Sequence, residues 1–322
     1  MPRADASMLA WRVHAFGPPE AMRFERVPRP LPGPGEVLVE VHAAGVGPWD
    51  GWIRAGTSAV DQPLPLTLGS DLSGDIQALG PDVSGLRVGD AIYGVTNPRF
   101  VGAYAEYAVA SAAMIARKPH VLGDVEAASV PVVAVTAWQA LFEQARLGAG
   151  QTVLVHGAAG SVGAYAVQLA RRAGIRTIAT AGSEDLAFVR ELGADTVIDY
   201  KNERFEEAAR NVDAVLDLVG GETQKRSFEV LRRGGKLISA VSEPDRDLAT
   251  RHGVDAHFFL VEVTTRALTE IAALIDRFEL KTRVGTVLPL AEAREAHFML
   301  EGRRRAQKGK IVLRVERDVQ ER

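Results

Sequence analysis

Three glycines set three residues apart, Gly157, Gly160 and Gly163, follow the apolar run Thr152-Val153-Leu154-Val155 in this 322-residue chain. A glycine at 157 lets the chain leave a strand in a tight turn. One at 160 lets the backbone approach a pyrophosphate, and one at 163 lets the next helix pack closely on a sheet. Ala158, Ala159, Ser161 and Val162 fill the loop with small residues and lead into an amphipathic helix. The first N–H groups of that helix, and its partial positive charge, suit phosphate oxygens. The usual first glycine of G-x-G-x-x-G falls on Ala158, so the loop is a variant of the dinucleotide-binding fingerprint.

An NAD-type site places Asp or Glu about 20 residues further on, at the end of the second strand. Here that place holds Thr180-Ala181-Gly182-Ser183. Small neutral residues leave room for a 2′-phosphate, within reach of Ser183, Tyr200 and Lys201 if the third strand ends beside the second. Glu184 and Asp185 repel a phosphate unless they face outward as acids of a helical first turn. NADP(H) is favoured over NAD(H).

Other reactive groups are few. The chain has no cysteine, which excludes disulfides, thiolate metal sites and a cysteine nucleophile. Its 7 histidines show no ligand spacing such as H-E-x-x-H, and His156, inside a strand, reads as structural. In Gly47-Pro48-Trp49-Asp50-Gly51-Trp52, Asp50 reads as a helix cap in preference to a proton relay. Trp49 and Trp52 offer an aromatic wall for a planar substrate or a core contact, Trp52 being the stronger candidate. Tyr93 and Tyr104 are proton-donor candidates set against ordinary packing roles.

Elements able to position these groups follow from the hydrophobic pattern. Before residue 126, short strands such as Val37–His42, Asp75–Leu79, Ala91–Tyr93 and Tyr104–Val109 sit between Gly and Pro punctuation, the rhythm of a barrel-like β domain. From Pro131 helices and strands alternate. Helical patterns at 132–144, 162–173, 185–192 and 223–231 separate strand patterns at 152–156, 176–181, 196–198, 214–217 and 236–239, which predicts a parallel sheet covered on both faces. The tail has a helix carrying Leu268, Ile271, Ile275 and Phe278, then a strand at 285–288, a second helix near 291–301 and a strand at 311–315, suggesting a return to the first domain. The predicted domains are 1–126, 127–262 and the return segment 263–322.

The balance of 38 basic and 41 acidic residues gives no sign of a nucleic-acid or anionic-membrane partner. Arg303-Arg304-Arg305 reads as a solvated helix end. The polar start Met1 to Ser7 and the lack of a long apolar run suggest a loose N-terminal tail on a cytoplasmic enzyme, with no membrane partner.

Several short segments together resemble the zinc-lacking medium-chain dehydrogenase/reductase family of quinone oxidoreductase type. They include Pro34-Gly35-Glu36-Val37-Leu38-Val39, Leu68-Gly69-Ser70-Asp71-Leu72-Ser73-Gly74, Val88-Gly89-Asp90, Ala134-Val135-Thr136-Ala137-Trp138, Leu192-Gly193-Ala194-Asp195, Asp217-Leu218-Val219-Gly220-Gly221 and Lys308-Gly309-Lys310-Ile311-Val312-Leu313. The resemblance implies an α/β fold, with a Rossmann doubly wound parallel sheet beside a GroES-like β-barrel catalytic domain. It places Thr136 at the nicotinamide end of the cofactor. Val219, Gly220, Val241, Phe258, Phe259 and Leu260 would line the cofactor, with Lys308 or Lys310 approaching it from the tail.

Zinc-dependent relatives carry Cys where this chain has Gly47 and His-Glu where it has Ser70-Asp71. Catalytic zinc takes three protein ligands, which a glycine and a serine at two of those places do not supply. Zinc-lacking relatives often carry Asn at the position of Gly47, so a polar side chain is missing here. Gly47, Asp50, Trp52 and Tyr93 are the candidates for the substrate cleft, with no catalytic residue and no metal ligand assigned.

The implied reaction is hydride transfer from NADPH to a small-molecule acceptor, a quinone or similar electron-poor compound. Alternatives are reduction of an enone or enoyl thioester on the same scaffold, and a non-catalytic NADPH-binding protein. Family likeness further implies a homodimer.

Overall fold

A computed structural model describes residues 7–316. Apart from Ser7, which opens the first strand, the expected N-terminal tail lies outside the described residues. Two compact units divide the chain. The first comprises residues through Val132, Val263–Arg277 and the stretch from Thr282 on, and the second Val133–Glu262 with Phe278–Lys281.

The break thus falls at 132/133 instead of the expected 126/127, because Val132 N–H donates to the buried carboxylate of Asp71 (3.1 Å) and stays with the first unit. Phe278–Lys281 leaves the return segment for the second unit, where Lys281 N–H donates to Gln168 Oε1 at 2.8 Å.

In the first unit a sheet runs in the order Val284–Pro289, Lys310–Arg314, Glu36–Val46, Asp71–Leu79, Ala91–Val95, Ile115–Arg117, with Tyr107–Ser111 also paired to Glu36–Val46. Ser7–Val13, flanked by Met22–Pro28 and Leu66–Thr67, makes a smaller sheet. Glu36–Val46 is buried along most of its length because it carries neighbours on both edges. Its approach to Asp71–Leu79 depends on Gly74, where a Cβ would sit 1.9 Å from the Glu40 carbonyl oxygen. Trp11, Val39, Leu68, Leu72, Ile76 and Tyr104 belong to the core beneath. Lys310–Arg314 pairs antiparallel with Glu36–Val46, so the end of the chain does return to this unit.

The second unit is a six-stranded parallel sheet in the order Thr196–Asp199, Arg176–Ala181, Thr152–Val155, Val212–Asp217, Leu231–Ser239, Asp255–Phe258. Numbered along the chain this is 3-2-1-4-5-6, the Rossmann order. Leu154, Ile178, Ile198, Val215 and Leu237 contribute to one core cluster.

Three helices differ from the sequence reading. The tail helix Thr265–Asp276 ends before Phe278, which is exposed. The stretch at 132–144 is an α-helix, Pro131–Trp138, continued by a π-turn, Gln139–Gln144. The helix expected at 223–231 is Gly221–Arg226 followed by one tight turn, since Leu231 is already paired with Val212 in the sheet.

Two buried imidazoles oppose folding as the pH falls. His156 lies between Thr180 Oγ1 (3.1 Å) and Ser227 Oγ (3.0 Å), a structural role, and burial pushes its pKa down to about 4. Burial and the neighbouring Arg54 guanidinium push His297 down to about 3. Both stay neutral in the folded state, whereas the unfolded chain takes up their protons below pH ~6.5. Their penalty is therefore absent at higher pH and grows as pH falls through that value. Each is expected to cost about 2 kcal/mol on going from pH 7 to pH 5. His42, raised by its bond to Asp124, acts in the opposite sense. So does Asp50, which burial raises to about 7 and which takes up a proton on folding between pH 7 and pH 5, offsetting about 2 kcal/mol. Denaturant midpoints of the wild type and of His156→Gln at the two pH values isolate the imidazole contribution, and an identical pH dependence in the two proteins contradicts it.

Candidate functional site

The parallel strands of the second unit bring their C-terminal ends to one edge, where open α/β sheets bind ligands. Gly157 leaves the first strand with φ of +69°, a conformation that favours glycine. A Cβ on Gly163 would lie 2.3 Å from the Gly157 carbonyl oxygen, so the helix starts this close to the loop only with glycine there. At Gly160 a Cβ would meet only that same oxygen, at 3.2 Å. Helix Ser161–Arg172 opens on Gly160 with no side-chain cap. Its first N–H groups have no intrahelical partner and are left for a ligand. This cradle of glycines and first-turn donors fits the pyrophosphate of a dinucleotide.

The loop after the fourth strand packs beside the cradle. A Cβ on Gly157 would touch Val219 Cγ2 at 3.4 Å, and one on Gly220 would touch Val241 Cγ2 at 3.4 Å, so these four candidate residues are gathered. Asp217 holds the loop: its fully buried carboxylate accepts N–H bonds from Val219 (3.1 Å) and Gly220 (2.8 Å). It also accepts from Gln224 Nε2 (2.9 Å) and Ser239 Oγ (3.0 Å). Sequence reasoning did not assign Asp217, Gln224 or Ser239 a role, although the first opens a segment quoted for the family resemblance. Val219 and Leu260 remain more than half exposed, apolar surface of the kind a nicotinamide ring packs on. Thr136 is buried in Pro131–Trp138, while Phe258 ends the last strand and Phe259 is buried after it.

At the end of the second strand, Thr180, Ala181 and Gly182 are buried and small, and Ser183 is exposed. Ala181 pairs in register with Asp199, which brings the ends of the second and third strands side by side. Ser183 donates to Asp199 Oδ2 at 2.5 Å, and Lys201 Nζ pairs with Glu184 at 2.9 Å. Glu184 therefore turns toward Gly182 and Lys201, the arrangement in which it repels a phosphate. Sequence reasoning named Tyr200 and Lys201 on this rim but missed Asp199, because nothing local shows that its carboxylate turns to meet Ser183. Tyr200 is largely exposed on the same rim.

In the first unit Asp50 lies in helix Pro48–Ala55 and reaches back to accept the Gly47 N–H (2.8 Å), the capping role. It also accepts from Tyr104 Oη at 3.0 Å. Burial pushes its pKa up to about 7 against the pull of the Gly47 bond and Lys310. Asp71 is equally buried, which raises its pKa, and its Oδ2 lies 3.0 Å from the Lys310 ammonium. That ammonium sits 4.2 Å from the centre of the Trp49 ring, and Trp49 Nε1 donates to Ser70 Oγ at 3.0 Å.

These bonds change several expectations. Lys310 is held in a buried ion pair, not extended from the tail toward a cofactor, whereas Lys308 is exposed. Tyr93 is buried and its hydroxyl donates to the Leu268 carbonyl at 2.6 Å, which removes it as an open proton donor. Trp52 is 48 % exposed, but it is the Trp49 ring that occupies the space beside Gly47, 2.3 Å from where a Cβ would be. Ser70 accepts from Trp49 and Asp71 faces Lys310, so the positions aligned with zinc ligands do not fit a catalytic zinc. No group of three or more His, Cys, Asp or Glu able to hold a metal occurs among the described residues. Nor is any helix among them long and apolar enough to cross a membrane.

A GroES-like unit joined to a Rossmann unit with a glycine cradle defines a medium-chain dehydrogenase/reductase. Residues 33–120 match the family model described as alcohol dehydrogenase GroES-like domain, and 192–313 the one described as zinc-binding dehydrogenase. The chain is 32% identical to human quinone oxidoreductase over 307 residues, covering 90% of this chain and 93% of that one. The structure of the quinone oxidoreductase from Coxiella burnetii superposes with a TM-score of 0.88 at 33% identity, covering 97% of this chain and 100% of that one. Escherichia coli quinone oxidoreductase, solved in complex with NADPH, gives 0.85 at 26% identity, covering 96% of this chain and 100% of that one. The chain belongs to the zinc-lacking, quinone oxidoreductase-like family of medium-chain dehydrogenases/reductases.

Proposed function

We propose that this protein is a zinc-independent, NADPH-dependent oxidoreductase that reduces a quinone or a similarly electron-poor acceptor. The observation that carries the reading is the cradle of Gly157, Gly160 and Gly163 beneath an uncapped helix start. The NADPH complex of the Escherichia coli relative supports the choice of nucleotide. When bound, the nicotinamide supplies a hydride from its C4. The chain's own part is to bind and orient. First-turn N–H groups of Ser161–Arg172 hold the pyrophosphate, and Asp217 fixes the loop that presents Val219 and Gly220.

Tyr93 and Tyr104 direct their hydroxyls to Leu268 and Asp50, so neither is an open proton donor for the reduced product. Solvent is an adequate acid for enolates and hydroquinones. Zinc independence rests on the engagement of Ser70 by Trp49 and of Asp71 by Lys310. We also propose a homodimer, to be tested by light scattering.

Purified protein is expected to oxidise NADPH with a simple quinone and to keep its rate after dialysis against a metal chelator. Comparing the quinone with an α,β-unsaturated ketone separates quinone reduction from enone reduction. Binding of NADPH without turnover of either class leaves the non-catalytic reading, and loss of activity on chelation overturns zinc independence.

A further inference from the structure

We infer that Glu184 and the Ser183–Asp199 pair hold down the preference of the cofactor site for a 2′-phosphate, so that NADPH is favoured over NADH only weakly. This rests on the dinucleotide reading above. The end of the second strand is where such sites distinguish a ribose 2′-hydroxyl from a 2′-phosphate. Ala181 pairs with Asp199, and Tyr200 N–H donates to the Ala181 carbonyl at 3.2 Å, so residues 182–184 and 199–202 share one rim.

A serine hydroxyl has one proton to give. That of Ser183 goes to Asp199 at 2.5 Å. Asp199 is itself fixed, accepting from Asn202 Nδ2 (2.7 Å) and from Lys201 N–H (3.1 Å). Toward a ligand, Ser183 then presents a lone pair, the other accepting weakly from Asn202 Nδ2 at 3.5 Å. The free pair accepts a bond from a ribose hydroxyl but opposes a phosphate, whose oxygens are acceptors.

The room that Gly182 leaves by lacking a side chain is also taken. The Glu184 carboxylate lies over it, with Oε2 3.0 Å and Oε1 3.4 Å from where a Cβ would be. The same carboxylate holds the Lys201 ammonium at 2.9 Å, the cation best placed to meet a 2′-phosphate. A phosphate entering here has to displace Glu184 from both Gly182 and Lys201, while a hydroxyl does not.

Fluorescence titration with NADPH and NADH of the wild type and of Glu184→Gln, Lys201→Met and Ser183→Ala tests this. Each substitution is on the exposed rim, and a thermal melt of each free protein verifies its fold. The wild-type dissociation constants are expected to lie within about tenfold of each other. Glu184→Gln tightens NADPH by about fivefold, as for an exposed charge contact, and leaves NADH unchanged. Lys201→Met weakens NADPH alone, and Ser183→Ala weakens NADH more than NADPH. The gain in Glu184→Gln shrinks in high salt. A wild-type preference for NADPH above about a hundredfold, or equal effects of Glu184→Gln on both nucleotides, overturns the inference. A wild type that binds neither nucleotide overturns the dinucleotide reading itself.

Discussion

Gly160→Asp is expected to abolish dinucleotide binding while leaving the free protein as stable as the wild type or slightly more so. Gly160 is the N-cap of Ser161–Arg172, with φ of −73°, and its Cβ position meets nothing closer than 3.2 Å. Aspartate is among the best N-caps, so the helix gains a few tenths of a kcal/mol over glycine. The same carboxylate stands where the pyrophosphate has to sit. A like charge at about 4 Å costs roughly 4 kcal/mol at an effective dielectric of 20, about a thousandfold in affinity.

Gly163→Ala separates the other half of the design. Its Cβ would be 2.3 Å from the Gly157 oxygen and 2.6 Å from Ala158 Cα, backbone atoms that have no rotamer to change. It is expected to lose about 1–3 kcal/mol of stability together with affinity. Nucleotide titration and denaturation of each variant distinguish the two. Binding retained by Gly160→Asp would place the pyrophosphate elsewhere.

Lys310→Met is expected to destabilise the first unit by about 3–5 kcal/mol at neutral pH. The lysine is 4 % exposed and neutralises Asp71, which has no exposure at all. With the ammonium gone, methionine still packs on Trp49, but Asp71 is left as an uncompensated charge and takes up a proton instead. The folded variant then binds a proton that the unfolded chain, near its ordinary pKa of about 3.9, does not. Its deficit relative to wild type therefore shrinks as pH is lowered from 8 toward 5.

Asp71→Asn combined with Lys310→Met removes both charges and keeps an oxygen for the Val132 N–H. This double variant is expected to recover at least half of the loss, as other buried pairs do when both partners are replaced. Denaturation of the two variants across that pH range measures both effects. A single variant as stable as wild type would mean that the pair is not load-carrying.

The sequence by itself determined the parts whose physics is local. Glycines three apart after an apolar strand specify a phosphate-binding turn, because each answers a backbone requirement within a few residues of itself. Alternating helix and strand periods specified the parallel sheet. The absence of cysteine excludes thiol chemistry, and Gly47 and Ser70 stand where zinc ligands would be.

What the tertiary structure decided is which distant groups meet. Asp199 lies beside Ala181 only because the second and third strands pair in that register. Lys310 reaches Asp71 only because the last strand returns to pair with Glu36–Val46. Trp49 stands over Gly47, and Glu184 over Gly182, through side-chain directions that residue spacing does not reveal. Thus the glycine cradle and the charged residues near the ribose end could be read from the sequence, whereas the pairing of Glu184 with Lys201 and of Ser183 with Asp199, and the buried Asp71–Lys310 pair, could not. Their energies depend on partners and burial that exist only once the chain has folded.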